Sequence, residues 1–392
     1  MEARTARRWL ARLGFHWTEV RKGVYIDGHE LRFLEQLKGL EPYLFEFNEE
    51  GGIKPKEYPR GCQVGGLHPP VILVTHDEST LNSNEARSRA WKEVHSTFLR
   101  PKGHGRGIMI SDFLLPCGRL TAESLSIEQR QYFNIPEHAS KLFEFSSQNS
   151  SGYWSTEDII SHTLDTGIKM FEAVYPGYKA LFLFDNASSH SSFAEDALRV
   201  QNMNLSGGGE QATMRNGYFL LKGTRTIQSM VYENGIPKGI EAVLQERGLW
   251  AAGLRLECPK LQCEDCRARK RCKKILSLQY DFLNQKGKLQ EMIEATGHTV
   301  LFYPKFHCEL NWIEYYWGQV KRYTHDNCEY NYEGLKTIIP QALSSVKPTT
   351  ISLFYARTQR IMEAYHNGLT YGSTGYHEYL SHRRVRHLED DF

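Results

Sequence analysis

The chain has 392 residues, enough for one large domain or two to three smaller ones. With 40% hydrophobic and 24% charged residues it has an ordinary globular composition, and it contains no run of eighteen apolar residues that could span a membrane. The formal charge of +2 averages over two basic stretches, residues 1–22 with six basic and two acidic side chains and residues 255–274 with eight and three. That distribution favours a polyanionic partner. The first residues lack a signal-peptide core and cleavage site, so an intracellular protein is expected.

Residues 2–15 read as a helix, 24–26 as a short strand closed by Asp27-Gly28, and 30–38 as a second helix. Residues 39–69 are rich in Gly and Pro without sustained periodicity and read as a linker or irregular arm. At Pro70 the texture changes. Val71 to Val74 is a continuous apolar run, as in a strand buried on both faces, and is expected to end around Asp77. Residues 91–99 and 107–115 follow as strand candidates in an antiparallel meander. Ser155-Thr156-Glu157-Asp158 carries a helix-capping signature, and Ile160, Leu164, Ile168 and Phe171 keep helical spacing until Pro176-Gly177. A second buried strand, 180–184, ends at Asp185, and a third, 300–303, precedes a helix over about 310–323. This is an α/β pattern built on a mixed sheet flanked by helices.

Asp77 and Asp185 each follow four or five apolar strand residues, the place where open sheets carry chemistry. One such Asp would most simply be a turn residue. Two in one sheet, joined by a helical acid, point elsewhere. On a helical wheel of about 100° per residue, Leu310, Ile313, Trp317 and Val320 form an apolar face with Glu314 at its margin. A carboxylate there points towards the sheet and is costly to bury unless paired or metal-bound. Glu309, about 140° around the wheel from Glu314, is the weaker candidate. Three converging carboxylates suit Mg²⁺ or Mn²⁺, and two such ions can activate a nucleophile and stabilise the leaving oxygen of a phosphodiester. Gly207-Gly208-Gly209 lacks a following Lys-Ser/Thr, so a nucleotide-hydrolysing loop is not expected.

The segments Thr75-His76-Asp77-Glu78-Ser79, Phe184-Asp185-Asn186-Ala187-Ser188-Ser189-His190 and Glu309-Leu310-Asn311-Trp312-Ile313-Glu314-Tyr315-Tyr316-Trp317-Gly318 resemble the three acid motifs of mariner-like DDE superfamily endonucleases. The run from Tyr303 to Asn311, YPKFHCELN, is similar to one in transposase-like proteins common in fungal genomes. The similarity extends from about Arg7 to the end of the chain. The resemblance implies a ribonuclease-H-like fold, with Asp77, Asp185 and Glu314 as catalytic acids holding two Mg²⁺ or Mn²⁺ ions. It also implies double-stranded DNA, as transposon ends and target, for a partner, and a homodimer or higher synaptic assembly. Its reaction is hydrolysis at a transposon end to give a 3′-hydroxyl, which then attacks target DNA. Two features depart from the family pattern. Between Asp185 and Glu314 lie 128 residues rather than a few tens. The region from Arg7 to Glu30 resembles only the last helix and wing of a helix-turn-helix module.

The long interruption, 201–297, reads as a hairpin around Lys222-Gly223, a helix over 239–247 and a cysteine cluster. Its spacing, Cys258-x4-Cys263-x2-Cys266-x5-Cys272, suits a structural Zn²⁺ held by four thiolates. Lys260, Arg267, Arg269, Lys270, Arg271, Lys273 and Lys274 surround it and, with Arg7, Arg8 and Arg12, are the candidate phosphate contacts. The same basic run reads equally as a nuclear import signal, and the nucleus is the expected location. The resulting organisation is a DNA-binding remnant at 1–38, an arm at 39–69 and the first part of the core at 70–200. The zinc-binding insertion at 201–297, the last core strand and helix at 298–350, and a C-terminal helix with basic tail at 351–392 complete it. A catalytically silent DNA-binding protein, a structure-selective nuclease of the same fold and a zinc-dependent interaction module are the alternatives.

Overall fold

The computed structural model describes residues 29–48, 52, 54–85, 103–144, 154–221, 223–254, 256, 271–327 and 329–389, the side chains of His29 and of 382–389 excepted. The expected elements at 2–15, 24–26 and 91–99 lie outside these residues. In chain order, helix α1 (His29–Leu40) is followed by a 3-10 turn at Glu41–Tyr43 and by strands β1 (Val71–Asn82), β2 (Gly107–Leu115) and β3 (Gly118–Arg119). Helix α2 (Ile127–Phe133) and strand β4 (Lys141–Glu144) come next. Helices α3 (Thr156–His162) and α4 (Lys169–Val174) are joined by a π-helical segment, Thr163–Ile168, and lead to strand β5 (Lys179–Phe184). The hairpin β6 (Gly217–Leu221) and β7 (Thr224–Gln228) precedes helices α5 (Ile240–Glu246), α6 (Cys272–Ser277), α7 (Tyr280–Leu283) and α8 (Lys288–Ala295). Strand β8 (Thr299–Phe302) then leads to helices α9 (Trp312–Asp326), α10 (Tyr332–Ser344), α11 (Pro348–His366) and α12 (Thr374–Glu389). Among the described residues no helix is long and apolar enough to cross a membrane.

The described residues fall into two compact units, one within Met1–Gly152, Gly167–Asn186 and Leu301–Phe392, the other within Tyr153–Thr166 and Ala187–Val300. The first is built on a mixed sheet of order β3-β2-β1-β5-β8, with β4 pairing the outer edge of β2 beside β3. Strand β1 is antiparallel to β2 and parallel to β5. Alternation along β1 sends Val71, Leu73 and Leu81 to one face, where Leu181, Leu183, Ile110 and Leu114 join Trp312, Ile313, Tyr316 and Val320 of α9 in the main core. Residues of α10, α11 and α12 close this layer from outside, as do Phe33, Leu34 and Leu37 of α1. Among its described residues the arm that follows α1 has no regular strand, yet Leu44 bridges Val71, and the Phe45 N–H donates to the Val71 carbonyl at 2.6 Å. On the opposite face His76 touches the rings of Phe113 and Phe184.

The helix expected after Ser155 forms with the expected capping box. It does not keep one helical period, because the π-helical turn inserts extra chain and leaves Leu164 half-buried. Gly167 in that turn lies against the Phe113 ring, and a Cβ there would come within 2.9 Å of it. Strand β1 also differs from expectation. It runs on to Asn82, because β2 keeps pairing it long after the pairing with β5 stops at Thr75.

The second unit centres on an apolar cluster of Met203, Met230, Ile240, Val243, Leu244, Cys272 and Leu276. The expected hairpin forms, with Gly223 at a φ of 84° in its turn. Its base is fixed by a buried ion pair, Arg247 to Asp281, bidentate at 2.8 and 2.7 Å. Arg247 also donates to Gln228 at 2.7 Å, and Asp281 accepts the Tyr218 N–H at 2.9 Å. A side chain at position 217 would place its Cβ 2.5 Å from the Asp281 carboxylate, so only glycine lets the strand approach. Removing one partner strands a buried charge. Arg247→Ala is therefore expected to destabilise this unit by about 3–5 kcal/mol. Hydrogen exchange across 217–295 checks this, with protection lost there and retained in β1 and β5.

Candidate active site

Asp77 lies inside β1 rather than at its end, on the core face with Leu73 and Leu81, and is buried. The correction matters little to its reach. The parallel partner β5 has already ended, since its last register pair is Thr75 with Leu183. Asp77 thus stands just past the carboxyl edge of β5, the strand that delivers Asp185 as its next residue. Asp185 is half-buried.

Glu314 occupies the first turn of α9, which begins after the 3-10 turn Cys308–Leu310. Ile313, Tyr316, Trp317 and Val320 fill the packed face of that helix. Glu314, one position on from Ile313, leaves it, with much of its side chain open to solvent while its carboxyl is partly dehydrated. The expectation of a buried Glu314 is corrected accordingly.

The three carboxylates nevertheless feel one another. Dehydration holds the Asp77 carboxyl well above the ordinary carboxylate range, and the negative charges of Glu314, Glu78 and Asp185 push it further in the same direction. The Glu78 N–H opposes this by donating to the carboxylate. Glu314 is raised too, first by dehydration and then by Asp185, with Lys321 opposing. Acids carried by β1, by the end of β5 and by α9 are therefore brought into one electrostatic neighbourhood. An all-oxygen donor set with an excess of like charge suits a hard divalent cation such as Mg²⁺ or Mn²⁺ by its chemistry, although the ligand atoms of the three acids do not all lie within 4.8 Å of one another in this structure.

The neighbouring Asp112 shows the contrast. It is the register partner of Asp77 on β2 and is fully buried. Its carboxylate accepts from Arg119 Nε at 3.0 Å and from the Phe113 N–H at 2.9 Å, so its charge is matched within the fold. Glu309 is likewise engaged. Tyr365 donates to it at 2.6 Å and His307 Nδ1 lies 2.7 Å away, with Glu30 3.7 Å from the other ring nitrogen. This buried set ties α1, the turn before α9 and α11 together. Sequence reasoning missed both sets, and for the second the spacing of His307 and Glu309 two residues apart was the available signal.

Of the cysteine cluster, Cys258, Cys263 and Cys266 lie outside the described residues. Cys272 is buried in the apolar cluster of the second unit, where dehydration pushes its thiol up. Arg271 and Lys273 are half-buried and Lys274 is exposed at the start of α6. Arg7, Arg8, Arg12, Lys260, Arg267, Arg269 and Lys270 lie outside the described residues. So does the basic tail, as far as the side chains from 382 onward are concerned.

No protein-family model matches the chain, and no curated protein matches it. Solved structures similar to it include the Mos1 mariner paired end complex with Mn, at 10% identity and a TM-score of 0.43 over 93% of this chain and 71% of that one. The Mos1 transposase paired-end complex with left transposon end is similar at 10% identity and a TM-score of 0.43, covering 93% and 68%. The mariner Mos1 paired end complex with Mg follows at 11% and 0.41, covering 92% and 70%. At these values the function is argued from the site itself.

A carboxyl whose pKa is raised by folding favours the folded state below the ordinary carboxylate range, and that contribution is lost as pH rises through the raised value. At pH 8 in chelator, where the carboxyl of the unfolded chain is ionised, Asp77 therefore opposes folding. Asp77→Asn is expected to raise the melting temperature there by ~2 °C or more, the response of a large domain to about 1 kcal/mol. The gain should shrink as the pH falls towards 4, and calorimetry over that range with and without Mg²⁺ measures it.

Proposed function

We propose that the chain is a DNA transposase or transposase-derived endonuclease of the DDE type, acting through Asp77, Asp185 and Glu314 on a DNA phosphodiester. The observation that carries this reading is that Asp77 on β1, Asp185 after β5 and Glu314 on α9 lie near enough to raise the cost of one another's charge. When bound there, two Mg²⁺ or Mn²⁺ ions would activate the attacking oxygen and stabilise the leaving one. The chain's own residues do the placing. Asp77 and Asp185, carried on neighbouring strands, would share the ions, and Glu314 would complete the shell of the second ion from the open side. The exposure of Glu314 suits that task, because a long duplex must reach the site.

Hydrolysis at a transposon end would leave a 3′-hydroxyl, and strand transfer would follow when that hydroxyl attacks target DNA. The partners proposed are transposon ends and target DNA, bound by a homodimer or a larger synaptic assembly in the nucleus. A structural Zn²⁺ at Cys258, Cys263, Cys266 and Cys272, with the basic residues around it and Arg7, Arg8 and Arg12 on phosphates, completes the proposal. Cys272, set against the apolar cluster, would anchor such a knob to the second unit.

On labelled duplex or supercoiled plasmid DNA with Mn²⁺, the protein is expected to cut and join strands. Glu314→Gln and Asp185→Asn are expected to lose about 10²–10³-fold or more of that activity, the scale on which a single preorganised electrostatic group acts. Full activity in both variants would overturn the assignment. For the zinc knob, elemental analysis of the purified chain is expected to find about one zinc per chain. A chain that is folded and zinc-free would remove that element of the proposal.

A further inference from the structure

Three buried polar side chains form a single hydrogen-bonded chain through the first unit, half-buried Asn186 joins it through a backbone carbonyl, and its members sit beside all three acids. Thr75 precedes Asp77 by two residues on the same face of β1 and is fully buried. Its hydroxyl donates to Asn311 Oδ1 at 2.7 Å and accepts from the Tyr303 hydroxyl at 3.1 Å. Asn311, itself buried, stands immediately before α9, and its backbone carbonyl accepts the Glu314 N–H at 3.2 Å. Tyr303 follows β8, and its N–H donates to the Phe184 carbonyl at 2.8 Å, next to Asp185. The Tyr303 carbonyl in turn accepts from the side chain of Asn186. The path Asn186–Tyr303–Thr75–Asn311 thus links the residue after Asp185, the strand of Asp77 and the helix start that carries Glu314.

A core that needed stability alone could use Val at 75 and Phe at 303, which have nearly the same shapes and leave no hydroxyl to satisfy. The directional bonds add something packing lacks, namely a fixed register between elements that would otherwise slide on apolar surfaces.

We infer that Thr75, Tyr303 and Asn311 are positioning residues that fix the elements carrying Asp77, Asp185 and Glu314 against one another so that the three acids can close on a divalent cation, an inference that rests on the metal-dependent reading above. They touch neither metal nor DNA in this role. Outer-shell groups of this kind typically alter metal affinity by about 10–100-fold.

The test is Mn²⁺ binding to the full chain without DNA, followed by electron paramagnetic resonance and calorimetry. The wild type, Asp185→Asn, Thr75→Val, Thr75→Ser and Tyr303→Phe are compared. Thr75→Val and Tyr303→Phe are expected to weaken Mn²⁺ binding by about 10-fold or more, with circular dichroism unchanged. Thr75→Ser keeps the hydroxyl and is expected to restore binding close to wild type, which a purely steric role for Thr75 does not predict. The double variant Thr75→Val/Tyr303→Phe removes both ends of one bond. It serves if either single variant fails to fold, with the same weakening expected. Wild-type affinity in folded Thr75→Val, Tyr303→Phe or the double variant, alongside a loss in Asp185→Asn, would overturn the positioning role and leave the metal site standing. Absence of Mn²⁺ binding in the wild type, or full binding in Asp185→Asn, would remove the metal reading and this inference with it.

Discussion

The burial of a carboxyl beside other carboxylates is the constraint around which the first unit is arranged. Asp77 is buried where Glu314, Glu78 and Asp185 all raise the cost of its charge. A fold selected for stability would separate or match these groups, as it does with Arg119 for Asp112, directly across the register from Asp77. Strand β1 is held to its place by β2 through eight register pairs and by β5 through five, so its side chains cannot relax away from the strain. Packing of α9 across the same face fixes Glu314 from the other side. Strain kept in this way at one place is the mark of a site prepared for something positively charged.

Two kinds of interaction divide the work of building it. The apolar layer between the sheet and α9, α10 and α11 supplies the cohesion, and it is indifferent to small shifts. The polar contacts are directional. The bonds around Thr75 set strand against helix, while the Tyr365–Glu309–His307 set holds the turn that leads into α9. Glu309 and Glu314 are five positions apart and have opposite fates, one enclosed and matched, the other open to solvent. Helical geometry separates them, and the enclosed one stabilises the platform for the other.

Much of this was legible in the sequence because it depends on local pattern. The apolar runs at 71–74 and 180–184 mark the two central strands, and capping and periodicity mark the helix after Ser155. The hairpin at 217–228 is announced by Gly223 in its turn. The features that escaped are set by partners distant in sequence. The extension of β1 to Asn82 depends on β2, and the π-helical turn answers the Phe113 ring at Gly167. The burial of Thr75 and the enclosure of Glu309 by Tyr365 depend on contacts across more than fifty positions, which no local period encodes. Glu314 was identified as an acid of interest while its exposure was not, because a helical wheel fixes direction and says nothing about how far the neighbouring layer extends.

The central claim is that Asp77, Asp185 and Glu314 together hold divalent cations, and anomalous scattering from crystals grown with Mn²⁺ and a DNA duplex tests it most directly. The account predicts two peaks about 3.5–4 Å apart, both within coordination distance of these carboxylates. Ordered crystals with DNA bound and no peak at the three acids, or with Mn²⁺ held elsewhere while Asp77 remains protonated and unligated, would contradict it.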